Sequence, residues 1–384
     1  MKGAELPAQV WWCAFLAAGV SGLVTLMTLP VARSLSRLVS LVASGTRNDT
    51  VGVSRFGGLS VVAGVGSGAL LALVAGWHSW GRQIPLSVHV ALVATTAWVF
   101  LLGILDDLWD LSPAQKLAGE FLAGAALVSS GWQFHVVSMP GLGVVELGWG
   151  SWPLSLLWLL GVTNAINLLD GLDGLASGVV AIIASSLLIL SVVQGNPGTV
   201  VLLAAIAAAC FAFLKDNWRP AKIYLGDSGS LTLGFLLGAV SLHSSLKAQT
   251  AVAILVPLLA LGLPVLDMFL VMIYRFAEGE GRPLVARVLR VFRGDRRHLH
   301  HLLQPLLRSH RAVLFLLYAL ALLFCGAALY VAFQGSREAG WVLLAVELVA
   351  LFVLRRAGLR AFARSQAEKV KSDTWDRWQK LGKI

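Results

Sequence analysis

The chain has 384 residues, of which 57% are apolar and 13% charged, where a soluble protein carries about 25% charge. So little charge cannot cover two water-facing domains, and the bilayer has to be part of the solvent. The composition excludes a secreted disulfide scaffold, a disordered tail protein and a soluble nucleic-acid binder; Cys13, Cys210 and Cys325 lie in apolar runs without metal-ligand spacing and read as small core residues.

A helix needs about 20 apolar residues to cross the hydrocarbon, and eleven runs qualify: 8–31, 57–77, 87–105, 115–131, 152–169, 174–194, 198–214, 229–245, 250–274, 312–333 and 338–354. The predicted fold is therefore an all-α polytopic membrane protein, a bundle of eleven transmembrane helices forming one domain over 1–384. The first run lacks a basic start and a small-residue cleavage exit, so it is expected to be a retained helix. Cytoplasmic loops keep Lys and Arg. With the amino terminus outside, the segments 32–56, 106–116, 215–228, 275–311 and 355–384 become cytoplasmic and hold 26 of the 30 basic residues, leaving Lys2, Arg82, Lys247 and Arg337. The net charge of +10 is thus concentrated on one face, where anionic headgroups and anionic nucleotides both occur, although topology alone accounts for most of these charges. Residues 131–151 alternate apolar and turn residues and suggest a short external hairpin. Trp375 and Trp378 sit among basic residues in the tail, as in an interfacial amphipathic helix. Gly- and Ala-rich helix faces of the kind that pair in lipid make a homodimer compatible with the sequence.

Four polar clusters lie at the ends of these runs, and acidic residues at membrane depth need a reason. Run three ends in Asp106, Asp107 and Asp110, which helical spacing would gather on one face. Three adjacent carboxylates repel one another unless a hard cation such as Mg²⁺ joins them, preferably with substrate phosphates. Lys116 follows as a phosphate partner; a solvated loop start is the alternative. Runs five and six meet at TNAINLLDGLDGLASG, residues 163–178. There Asn164, Asn167 and Asp170 recur every three residues on one helix face, glycines let a ligand approach the backbone, and Asp173 opens the next run, where capping would also explain it. In NWRPAKIYLGDSGS, residues 217–230, Asp227 serves either as a helix cap or as a metal ligand beside backbone amides that face a phosphate. GDRRHLHHLL, residues 294–303, offers His298, His300 and His301 with Arg296 and Arg297 to a diphosphate or sugar. Zinc is less suited, since no cysteine or carboxylate stands at ligand spacing.

These residues resemble the polyprenyl-phosphate N-acetylaminosugar-1-phosphate transferase family over 55–303: RFGG at 55–58, the Asp pair with Lys116, NAINLLDGLDGLASG, Asn217 with GDSGS, then Asp267, Arg275 and HLHH. HLHH after an Asp-Arg pair is similar to the branch that transfers N-acetylglucosamine-1-phosphate to undecaprenyl phosphate. The branch acting on phospho-MurNAc-pentapeptide usually has three consecutive histidines, then an aromatic and an acid, which this chain lacks. GTRNDTVGVS, before RFGG, departs from the family's basic and proline pattern. The resemblance implies a UDP-N-acetylhexosamine donor, an undecaprenyl phosphate acceptor, Mg²⁺ with Mn²⁺ able to substitute, and a bacterial plasma membrane location with the site facing the cytoplasm. It implies Asp227 as metal ligand with Asn167, and Asp106 and Asp107 beside the lipid phosphate, one of them as base. Asn164, Asp170, Asp173 and Asn217 would line the nucleotide site, with Tyr224 stacking on uracil. His298, His300, His301, Arg296 and Arg297 would hold the diphosphate or sugar, with Arg55 and Lys116 as further anion contacts. Asp267 would be a structural partner in the bundle, whereas Glu120 and Glu347 have no assigned role. An intramembrane Mg²⁺-dependent prenyltransferase is the competing reading, but it wants two similar Asp-rich repeats. A transporter would place its ionisable residues near the midplane.

Overall fold

A computed structural model describes residues 6–42, 53–81, 85–139, 143–247, 254–278, 281, 283, 287 and 297–381, but not the side chains of 36–42, 138–139, 244–247 and 369–381. Arg296, the loop at 43–52, the hairpin tip at 140–142 and most of 279–296 lie outside the described residues, as do the side chains of Trp375 and Trp378. The described chain is almost wholly helical, as expected from its apolar runs: α1 (Ala8–Val42), α2 (Gly57–Gly76), α3 (Leu86–Trp109), α4 (Pro113–Ser129), α5 (Ser151–Leu169), α6 (Leu175–Val193), α7 (Pro197–Asn217), α8 (Gly226–Lys247), α9 (Leu255–Ala260), α10 (Gly262–Ala277), α11 (Leu299–Leu307), α12 (His310–Gln334) and α13 (Arg337–Leu381).

Seven of these helical stretches are long and apolar enough to cross a membrane: 8–35, 57–76, 86–109, 148–169, 175–193, 197–217 and 310–334. The four remaining expected spans also fall on helix, but differently from a plain crossing. α4 has 17 residues. The run 250–274 is interrupted after Ala260, where Leu261 leaves the helix before Gly262 starts α10. The run 338–354 is the first part of the 45-residue α13. α8 has 22 residues, and its first turns carry Asp227, Ser228, Ser230 and Thr232.

Local chemistry sets the helix ends that matter. α3 stops where Asp110 turns left-handed, at φ 53°, so Asp110 does not share a helical face with Asp106 and Asp107; the expected three-carboxylate face holds only two. α4 restarts at once with a capping box: Gln115 N donates to Ser112 Oγ at 3.4 Å, and Ser112 N donates to Gln115 Oε1 at 2.9 Å. Pro113 occupies the first helical position, where no amide partner is needed.

α6 and α7 pack against each other near the centre, α1 and α2 close one side, and α5 and α3 both lie along α8. The three cysteines are buried in apolar surroundings, as expected from their runs. The hairpin expected within 131–151 forms as two strands, β1 (Val136–Met139) and β2 (Gly143–Glu146), paired antiparallel with Val136 opposite Glu146. It is anchored by Phe134, whose N donates to Ser155 Oγ at 2.8 Å and whose carbonyl accepts from Ser151 Oγ.

Candidate active site

The site is built where the ends of α3, α5 and α8 meet the segment before α2. Residues 54–58 run beside 223–225: Tyr224 N donates to Ser54 O at 2.7 Å, Gly57 N to Tyr224 O at 3.0 Å and Gly58 N to Leu225 O at 2.8 Å. RFGG is explained by this approach. A Cβ on Gly58 would lie 2.6 Å from Gly229 Cα and from Ser228 Oγ, so α2 and α8 touch backbone to backbone. The pairing sets Arg55 and Tyr224 on the rim of one cavity.

α8 then begins at Gly226, whose φ of 73° is left-handed. The first amides of α8 are capped from another helix: Asp107 accepts Asp227 N at 2.8 Å on one oxygen and Ser228 N at 2.9 Å on the other. A carboxylate at a helix amino end is favourable for hydrogen bonding and for the helix dipole. Because Asp107 supplies that cap, the side chain of Asp227 is released to turn inward. It meets Lys116 Nζ at 3.2 Å, and Asn167 Nδ2 donates to it at close range. Asn167 also donates to Ser230 Oγ at 2.9 Å, and Ser230 Oγ in turn donates to Gly226 O at 2.9 Å. Asp106 accepts Leu111 N at 2.8 Å and pairs with Lys116 Nζ at 2.5 Å, the same ammonium that Asp227 meets.

The result is a polar cavity of about 340 Å³ lined by Arg55, Asp107, Asn167, Asp170, Asp173, Asn217, Tyr224 and Asp227. Four carboxylates facing one guanidinium give it a negative excess that a cation would relieve. Burial, reinforced by the charges of Asp227 and Asp107, holds the Asp170 carboxyl well above the ordinary range. Burial also raises the Tyr224 phenol, with help from Asp173. Among the described residues no three His, Cys, Asp or Glu side chains gather at metal-ligand distance. The donor set suits Mg²⁺ all the same, since that ion is usually held by one or two carboxylates plus phosphates and water.

Not every expected residue reaches the cavity. Asn217 does, but its amide is occupied: Gly174 N donates to its Oδ1 at 3.1 Å, Ser177 Oγ at 2.8 Å, and its Nδ2 donates to Ile223 O at 2.9 Å. Asn217 therefore ties α6 to α7 and to the 223–225 segment. Asp173 accepts Ala221 N at 3.2 Å. Asn164 points the other way and donates to Glu120, whose role as partner of that amide was not legible from spacing. The histidines divide. His298 is buried against Asp267, 3.0 Å away; His300 is buried with its ring against Gly171 in the cavity wall; and the His301 ring lies 4.1 Å from that of His300. Burial and its two histidine neighbours push His300 well below the usual imidazole value. Arg297 pairs with Glu278 at 2.5 Å. Ser230 has no site role assigned from the sequence, although its place three residues after Asp227, on the same helical face, was a usable signal.

A family model described as glycosyl transferase family 4 matches residues 89–245. The chain is similar to a probable undecaprenyl-phosphate N-acetylglucosaminyl 1-phosphate transferase of Bacillus subtilis, 32% identical over 314 residues, covering 81% of this chain and 82% of that protein. It is similar to the decaprenyl-phosphate N-acetylglucosaminephosphotransferase of Mycobacterium tuberculosis, 31% identical over 373 residues and covering 91% and 89%. A phospho-N-acetylmuramoyl-pentapeptide-transferase of Desulforamulus reducens is 34% identical over 249 residues, 59% of this chain and 72% of that one. With its motifs drawn together around one cavity and these relatives matching most of its length, the chain belongs to the polyprenyl-phosphate N-acetylaminosugar-1-phosphate transferases of glycosyl transferase family 4.

Proposed function

We propose that the chain transfers N-acetylhexosamine-1-phosphate, with N-acetylglucosamine as the sugar, from a UDP-sugar to undecaprenyl phosphate on the cytoplasmic face of a bacterial plasma membrane. A lipid phosphate oxygen attacks the β-phosphorus of the donor. The bond from that phosphorus to the bridging oxygen breaks, UMP leaves with the electron pair, and a polyprenyl diphosphate sugar remains. The observation that carries this reading is the carboxylate-lined cavity with Arg55 at its rim, set at the ends of apolar helices where a lipid phosphate emerges beside water.

Two polyanions have to meet, so positioning and charge neutralisation dominate the barrier. Asp227, with Asp170 or Asp173 as second carboxylate, would hold Mg²⁺, and the ion when bound supplies charge neutralisation to the diphosphate. Asn167 and Lys116 keep Asp227 turned into the cavity. Lys116 balances both Asp106 and Asp227. Of the aspartate pair, Asp107 reaches the cavity and is the one suited to accept a proton from the lipid phosphate, while Asp106 fixes Lys116. Arg55 and Tyr224, which also line the cavity, suit the nucleotide.

Asp227→Asn tests the reading. It keeps the shape of the side chain and removes the charge, and turnover is expected to fall by about 100-fold or more while thermal unfolding in detergent changes little. Turnover within tenfold of the unaltered protein at saturating Mg²⁺ would remove Asp227 from the machinery. The relatives that act on phospho-N-acetylmuramoyl-pentapeptide are the second reading; HLHH in place of three consecutive histidines speaks against it.

A further inference from the structure

The cavity does not use Asp267, Glu347 or Arg355, three ionisable side chains buried away from it. Arg355 and Asp267 touch each other, and Glu347 lies further back on the helix that carries Arg355. α13 runs along α10 and α11, and Glu347 and Arg355 are eight residues apart, so both face inward. Glu347 sits on Gly262, the first residue of α10, where any Cβ would collide with its carboxylate. That places a buried carboxyl group at the amino end of a 16-residue helix. Arg355 is 1% exposed, with Nη1 3.5 Å from Asp267 Oδ1 and its guanidinium 4.8 Å above the Tyr274 ring. Asp267 hands the contact on. Its carboxylate lies 3.0 Å from His298 Nδ1 and accepts Leu299 N, the first amide of α11, at 3.1 Å. Gly358, one turn beyond Arg355, leaves room for α11 as well: a Cβ there would stand 2.8 Å from Leu302 Cβ. At its amino end α11 seats His300 on Gly171 of the cavity wall.

We propose that Arg355, on the last helix, is a positioning residue for the donor site: it clamps Asp267, and through Asp267 it fixes His298, the first turn of α11 and the seat of His300. Without the guanidinium, Asp267 keeps a buried charge that an imidazole and an amide compensate less well. The turn that those two groups anchor then loses its fixed place. Misplacing a binding group by about 1 Å costs up to about 100-fold in rate, so the effect is readable without unfolding the bundle. Only the kinetic readout rests on the transfer reaction proposed above.

The test uses full-length protein in one detergent, with Arg355→Met and Arg355→Lys. Arg355→Met is expected to raise the KM for the UDP-sugar about tenfold, leaving kcat and the KM for undecaprenyl phosphate within about twofold. Amide exchange should quicken across 297–307 while α5 to α8 exchange as in the unaltered protein, and Arg355→Lys should recover most of both losses. If Arg355→Met does not fold, Asp267→Asn combined with Arg355→Met removes both charges and is read in the same way. Unchanged exchange at 297–307, an equal rise in both KM values, or faster exchange throughout α5 to α8 overturns the proposal. If the unaltered protein turns over no UDP-sugar, the transfer reading has failed, and exchange at 297–307 alone decides the role of Arg355.

Discussion

Asp170 shows what a single residue pays for the cavity's charge. Its carboxyl is held above its unfolded value by burial and by Asp227 and Asp107. The native state therefore keeps a proton that the unfolded chain has released, and stability declines as pH rises from about 4 through the raised native value. Asp170→Asn removes that slope. In EDTA at pH 8 the variant is expected to unfold at least about 2 °C above the unaltered protein, with the gap closing at pH 4 and narrowing when Mg²⁺ is added. An unaltered protein that is the more stable at pH 8 without metal would contradict the assigned cause. The residues for this chemistry were legible in the sequence because a carboxylate at membrane depth is too costly to persist without a partner or a use. Their division of labour was not. Asp107 caps a helix 120 residues further on, and Asn164 turns from the Asn167 face toward Glu120; both depend on which helix lies opposite, which spacing along one helix does not contain.

At the scale of elements, the contact between α2 and α8 decides how close Arg55 comes to Asp227. Helices in lipid gain little from hydrophobicity and rely on close packing of small residues. Gly58→Ala would force a methyl group into Gly229 and Ser228 and is expected to cost about 1–3 kcal/mol, with a loss of turnover. Gly66→Ala, on the same helix with nothing within 4 Å of the added carbon, is the control and should be close to neutral by thermal unfolding. Equal effects at the two sites would remove the contact from the account. The run expected from 115 starts as a helix at Pro113, set by the local capping box of Ser112 and Gln115. The break between α9 and α10 was hidden because Leu261 and Gly262 sit in an apolar run that a window of about 20 residues reads as continuous.

For the whole molecule, the eleven-span topology with the site on the cytoplasmic face is our proposal, supported by the basic bias of the loops and by seven helices that meet the length and apolarity of a span. Single cysteines at Ser112 and Lys222 are expected to react with an impermeant maleimide only from the cytoplasmic side. A cysteine at Trp149, which is 99% exposed beside the hairpin, should react only from outside, and any reversal would overturn the orientation. Architecture was readable because burial in lipid forces long apolar helices. The line from α13 through Asp267 to the histidines was out of reach, since nothing in the local sequence ties residue 355 to residue 298.

The transfer reaction itself is tested most directly with purified protein, undecaprenyl phosphate, Mg²⁺ and a panel of UDP-N-acetylhexosamines, scoring labelled lipid and released UMP together. The account predicts labelled lipid and UMP in equal amounts, with UDP-N-acetylglucosamine the preferred donor. No UMP from any donor, with a prenyl diphosphate consumed instead, would contradict it and move the chain to prenyl transfer.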